Sequence, residues 1–148
     1  MVGSRCELIE LHRTQAGSFD ASMACTMQQL TDALHVYREH GDDRGIRRLV
    51  CPIERLLSHL PKLVVKDGAA AAVSHGASLA RPGVVKATPG IKAGSLILIE
   101  SLKAEAVAVA ELIVDTDTLI DTSSGEIAKP KSVLMTPGTY PQSWSKST

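Results

Sequence analysis

Residues 61–84 read Pro-Lys-Leu-Val-Val-Lys-Asp-Gly-Ala-Ala-Ala-Ala-Val-Ser-His-Gly-Ala-Ser-Leu-Ala-Arg-Pro-Gly-Val. Leu63-Val64-Val65 is a short apolar run, two of its three residues β-branched, that follows Pro61, the pattern of a buried strand. Asp67 is placed to cap an alanine-rich turn over 68–75, and Gly76 closes it where left-handed backbone is needed. Ala69 to Ala72 read as a small helix packed closely against a sheet. Pro82-Gly83 then opens a series of turns that Pro89-Gly90 and Gly94 continue. A strand, a very short helix and a run of turns imply a compact β-module.

Downstream, Leu96-Ile97-Leu98-Ile99 and Val107 to Val114 are the strongest strand candidates. A polar Asp/Thr/Ser loop runs to Gly125, Val133-Leu134-Met135 reads as a last strand, and a Pro/Gly/Tyr/Trp tail follows. Many short strands with Gly/Pro turns predict a small β-barrel carrying one or two short helices. Upstream of Pro61 the texture is helical. Thr26 and Gln29 fit a capping box, Met27, Leu30, Leu34 and Tyr37 share a face, and Gly41 suits a C-terminal cap, so a helix spans about 26–39. Asp43 is placed to cap a second short helix bearing Ile46, Leu49 and Val50. Pro52 opens a third with Ile53, Leu56, Leu57 and Leu60 on one stripe, stopped by Pro61. Residues 6–13 allow a strand with ambiguous periodicity. Its abruptness at the start resembles the cut end of something larger. The fold class is α+β, with a domain boundary near residue 61.

The chain has 148 residues, 44% hydrophobic but only 3% aromatic, so its core must be aliphatic. Sixteen basic and sixteen acidic side chains balance. That counts against a binder driven by bulk positive charge, although a neutral total can still hold a basic face. No apolar run reaches the ~18 residues of a membrane span, and the first residues lack the apolar stretch of a secretory signal. Cys6, Cys25 and Cys51 are odd in number and widely spaced, which suggests free thiols in a reducing cytoplasm. The histidines and cysteines show no metal-ligand spacing, and no Gly-Xaa-Gly phosphate cradle exists. No cofactor or metal is expected.

Several stretches together resemble one family. Residues 3–19 (Gly-Ser-Arg-Cys-Glu-Leu-Ile-Glu-Leu-His-Arg-Thr-Gln-Ala-Gly-Ser-Phe) resemble the segment after the active-site strands of TruB/dyskerin-type pseudouridine synthases, where the pattern is roughly Glu-Leu-Arg-Arg and then Gly-Pro-Phe. Pro52-Ile53-Glu54 with Leu56-Leu57 resembles the junction into that family's RNA-binding PUA domain. Lys62 to Asp67, His75-Gly76-Ala77, Leu79, Pro82-Gly83-Val84 and Pro89-Gly90-Ile91 resemble the PUA domain of the archaeal and eukaryotic box H/ACA branch. Met135, Gly138-Thr139-Tyr140-Pro141 and Trp144 resemble its C-terminal tail. The departures are His12 in place of an arginine, Ser18 in place of a proline, and Gly68 where serine is common.

The resemblance implies three parts. Residues 1–61 are a C-terminal remnant of a pseudouridine synthase catalytic domain, 62–136 a PUA-type β pseudo-barrel, and 137–148 a tail expected to lie back on the helical part. It also implies RNA binding within pseudouridine synthesis, with a box H/ACA guide RNA or tRNA as partner, alongside other proteins of an H/ACA ribonucleoprotein. Lys66, Asp67, His75, Gly76, Ala77, Leu79, Arg81 and Lys92 are the expected RNA-contacting residues. None of the aspartates stands in the family's Gly-Xaa-Leu-Asp motif, so no catalytic residue is assigned and the chain alone should be inactive. Uridine isomerisation needs that carboxylate held at a flipped-out base. Two rivals stand beside this reading: a complete isomerase of which this sequence is one part, and a protein-interaction module whose residues 1–61 dock on a partner.

Overall fold

A computed structural model describes residues 3, 5, 7–119, 121 and 123–141. The expectations for Cys6 and Trp144 lie outside the described residues. The chain divides into two compact units, 1–56 and 57–148.

In the first unit, β1 (Gln15–Ala16) and β2 (Phe19–Asp20) form a small hairpin turned at Gly17, whose φ is +60°. Helix α1 (Met27–His40) starts where the sequence indicated. Thr26 Oγ1 accepts from the Gln29 amide, and the Gln29 side chain accepts from the Thr26 amide, which satisfies two orphan donors reciprocally. Gly41, at φ +68°, ends the helix. Helices α2 (Arg44–Leu49) and α3 (Ile53–Leu56) follow. Three expectations fail here. Residues 7–14 form no strand, because neither alternating set (Leu8, Glu10, His12 or Ile9, Leu11, Arg13) is consistently apolar. Asp43 makes no side-chain cap. Instead Asp42 Oδ1 accepts from the Arg44 amide at 3.0 Å, and Asp43 pairs with Arg47 at 2.6 Å. The third helix is only one turn long, with Ile53 and Leu56 exposed while Leu57 and Leu60 are half-buried.

The second unit is the β-module. Strands β3 (Lys62–Val65), β4 (Leu79–Ala80), β5 (Val84–Ala87), β6 (Leu96–Glu100), β7 (Ala106–Leu112) and β8 (Glu126–Val133) form one six-stranded sheet in the order β4-β8-β7-β6-β3-β5. All pairs are antiparallel except β3 with β6. That parallel pair needs a long crossover, and residues 66–95 supply it, carrying α4 (Asp67–Ser74), β4 and β5. The outermost strands, β4 and β5, are consecutive in sequence and separated only by the turn Arg81–Gly83. Laid flat, the edges of six strands would stand about 24 Å apart. The backbone from Ala80 to Val84 reaches at most about 14 Å. The sheet must therefore curl into a nearly closed barrel.

Helix α4 packs on β4, β7 and β8. Its alanines Ala70 and Ala71 join Leu63, Val65, Leu79, Ile97, Ile99, Val107, Leu112 and Ile127 in one core. Among the described residues the core is aliphatic as composition required, apart from Met135 and Tyr140. Tyr140 is buried in it, and its hydroxyl donates to Glu105 Oε2 at 2.5 Å. The Tyr140 and Ser101 hydroxyls together hold the Glu105 carboxyl below its ordinary range. Through Tyr140 the described start of the tail packs into the barrel core; the rest of the tail, expected on the helical part, lies outside the described residues. The last strand is also displaced from the reading at 133–135, beginning at Glu126. Lys129-Pro130-Lys131 concealed it, since proline lacks a ladder donor. It is tolerated because β7 is irregular opposite it and β4 covers β8 only over Glu126–Ala128.

Closure demands a glycine. A Cβ on Gly83 would lie 2.5 Å from Ala69 Cβ and 3.4 Å from Leu79 Cδ1. Gly83→Ala should therefore destabilise the barrel by about 1–3 kcal/mol, and Ala69→Gly should be less harmful in that background than in the wild type. Denaturant unfolding of the four proteins in a double-mutant cycle checks this.

Candidate nucleic-acid interface

The closure turn makes a groove as well as a barrel. A cavity of about 460 Å³ opens between α4 and the β4–β5 turn, floored by Gly68, Ala69, Ala72, Val73 and Leu79 and rimmed by Lys66, Ser78, Pro82 and Gly83. The floor is apolar and built of small side chains because α4 presses so closely on Gly83. Such a surface admits a flat base or sugar, and a cation at the rim can meet the attached phosphate.

Lys66 is fixed by its backbone. Its amide donates to the Gly83 carbonyl at 2.8 Å, and its carbonyl accepts from Ala70 at 2.9 Å. The ammonium is left on an exposed side chain at the groove mouth. Lys66 is also the N-cap residue of α4, with extended backbone. Asp67 is consequently the first helical residue and not the cap; no side-chain cap bond forms there. Its carboxylate lies in the first turn, where it complements the helix dipole.

At the far end of α4, about 12 Å along its axis, the amides of His75 and Ala77 donate to Ala72 and that of Gly76 to Val73. Gly76 sits at φ +87°, with open space where a Cβ would be. His75, Gly76 and Ala77 are all exposed. Because these amides are spent on the helix end, a ligand here meets the His75 ring and the bare Gly76 surface.

Leu79 is only 1% exposed. Its side chain serves the core and the groove floor, so it can offer a ligand no more than apolar contact. Arg81 is half-buried, its Nε donating to the Leu119 carbonyl at 2.6 Å and its amide to Gly125 at 2.9 Å. This ties the closure turn to the 116–119 turn, a structural duty with no local signal among the residues. Lys92 does not line the groove. It stands in the β5–β6 loop, where Asp115 accepts from Lys92 Nζ at 2.8 Å and from the Ala93 amide at 2.9 Å. Asp117 and Thr116 bind the Gly90 and Ile91 amides of the same loop. The structure thus gathers Lys66, Asp67, Leu79 and Arg81 near one end of α4, sets His75–Ala77 at the other, and leaves Lys92 apart. Sequence reading missed Ala69, Ala72, Ser78 and Pro82 as groove residues, because small side chains carry no chemical signature. Among the described residues, no group of three or more His, Cys, Asp or Glu could hold a metal ion, and no helix is long and apolar enough to cross a membrane.

A curled six-stranded sheet with one short helix and a groove at its closure defines a PUA domain. Residues 61–134 match the family model of that domain, half of the chain, and the chain belongs to the PUA family. Residues 1–58 match the model of the tRNA pseudouridylate synthase B C-terminal domain, as the resemblance to TruB/dyskerin-type synthases implied. Over 145 residues the chain is 41% identical to a probable tRNA pseudouridine synthase B of Methanococcus maripaludis, covering 98% of this chain and 44% of that protein. A probable tRNA pseudouridine synthase B of Methanosarcina barkeri is 41% identical over 137 residues, or 93% of this chain and 40% of the relative. Among solved structures, the archaeal box H/ACA Nop10–Cbf5 complex matches with a TM-score of 0.82 and 39% identity, over 88% of this chain and 42% of the matched one. An H/ACA ribonucleoprotein bound to a substrate RNA containing 2'-deoxyuridine matches with a TM-score of 0.81 and 35% identity, again over 88% and 42%. The chain spans less than half the length of these relatives.

Lys92 and the Ala93 amide hold the Asp115 carboxyl below the ordinary carboxylate range. A depressed folded-state value means the stabilisation is complete above pH ~4 and is lost as pH falls through the lower folded value. Asp115→Asn should therefore melt below the wild type at pH 7, and the gap should narrow toward pH 2. Thermal melts across that range check this.

Proposed function

We propose that this chain binds structured RNA through the groove between α4 and the β4–β5 turn, and that it positions a guide RNA or tRNA for uridine isomerisation. The observation that carries the reading is the groove itself. It has an apolar floor, with the backbone of Lys66 anchored at its mouth by the same hydrogen bond that closes the barrel. Binding by shape and a few phosphate contacts suits a chain whose charges balance overall. Lys66 meets a phosphate, Asp67 accepts from a base edge or ribose hydroxyl, and His75 stacks beside the close approach allowed by Gly76 and Ala77. Leu79 contributes floor, Arg81 sets the turn and lends charge, and Lys92 is an outlying phosphate contact held on Asp115.

Relatives and neighbours support the pseudouridylation setting: proteins named tRNA pseudouridine synthase B match nearly all of this chain, and a matched complex holds substrate RNA. The sequence given contains no Gly-Xaa-Leu-Asp aspartate, so isomerisation requires a catalytic part supplied with it. A protein-facing role for the first unit has its own observation. The extended stretch 7–14 shows Leu8, Ile9 and Leu11 at 73%, 94% and 81% exposure, apolar surface suited to docking on another polypeptide. Proteins such as the Nop10 and Gar1 of a matched complex are the partners proposed.

A salt-dependent gel shift with an RNA hairpin ending in ACA, and with a tRNA in parallel, tests the assignment. Lys66→Ala should weaken binding about five- to tenfold and reduce the salt slope by about 1. Lys92→Ala should weaken it less. Equal affinity for Lys66→Ala and wild type, both folded by circular dichroism, would place the site elsewhere.

A further inference from the structure

Two thiols in the first unit have no part in RNA binding, and the fold brings them to one place. Cys25 lies two residues before α1, and Cys51 lies two residues after α2. The helices are joined by the three residues 41–43 and pack closely, with a Cβ on Gly45 only 3.2 Å from Ala33 Cβ. From that contact α2 runs back toward the start of α1. Its last residue, Leu49, shares a cavity with Ser22, Met23, Cys25, Gln29 and Cys51. Cys25 and Cys51 therefore both line a single space of about 230 Å³ at the open end of the hairpin. Cys25 is exposed, and Cys51 is half-buried with Arg55 Nη1 donating to its sulfur at 3.9 Å.

We propose that Cys25 and Cys51 form a reversible intrachain disulfide across the open end of the α1–α2 hairpin. A low-molecular-weight disulfide is the oxidant. The exposed Cys25 thiolate attacks one of its sulfurs, forming a mixed disulfide and releasing one thiol. The Cys51 thiolate then attacks the Cys25 sulfur and expels the second thiol. Two protein protons and two electrons leave, and the small disulfide is reduced to two thiols. The new bond closes a loop that contains the whole hairpin, so it restrains the unfolded chain and clamps α1 to α2.

The full chain is treated with glutathione disulfide, quenched with acid, and its remaining thiols counted. Trypsin separates the cysteines cleanly, Cys25 falling in Thr14–Arg38 and Cys51 in Leu49–Arg55. The expected result is loss of two thiols, a linked pair of these peptides that dithiothreitol releases, and a melting temperature raised by about 5–10 °C. Cys6→Ser should behave as wild type, whereas Cys25→Ser and Cys51→Ser should retain glutathione or stay reduced. A stable glutathione adduct on wild-type Cys25, covalent dimers, or a link through Cys6 would each overturn the proposal. So would thiols that stay reduced in a chain shown to be folded.

Discussion

The second unit is governed by one constraint, the three-residue connection between the two outermost strands of its sheet. Arg81–Gly83 must carry the chain from one edge to the other, and nothing so short spans an open sheet of this width. Curling follows, and with it the enclosed aliphatic core. The turn is held from both sides, by the Lys66 amide on the Gly83 carbonyl and by Arg81 on the 116–119 and 125 segments. Helix α4 fits over it only because Gly83 and Ala69 are the smallest residues available.

The candidate binding surface is a by-product of this arrangement. Small residues chosen for close approach leave a shallow apolar trough beside the turn, and the backbone bond that secures closure also stations Lys66 at its lip. Under the proposed function, stability and recognition draw on the same few atoms. On the same reading, Lys66 at the lip of a shaped trough supplies positioning that diffuse charge would not, in a protein of zero formal charge.

Much of this was legible in the residues. The capping box at Thr26, the left-handed Gly41 and Gly76, and the strands at Leu63 and Leu96 were readable because each rests on local backbone chemistry. The resemblance to pseudouridine synthases supplied the family. What escaped were features set by distant partners. Strand β8 was hidden by Pro130, which is harmless only where the pairing is one-sided and irregular. Asp67 could be read as a cap but not as a first-turn residue, because that choice depends on Lys66 being tied to Gly83. The bond from Arg81 to the Leu119 carbonyl is invisible across 38 positions of sequence. The place of Tyr140 in the barrel core depends on its bond to Glu105, 35 positions away in sequence.

Strand β8 continues five residues beyond the reach of β4, from Lys129 to Val133. A bare margin of this kind ordinarily invites a second molecule to add a strand, the first step toward fibrous aggregates. Here the margin begins Lys-Pro-Lys, so an incoming strand meets the Lys129 ammonium, a Lys131 ammonium paired with Glu111, and a proline that carries no backbone donor. The proline that obscured the strand in the sequence thus leaves each molecule a poor template for its own copies.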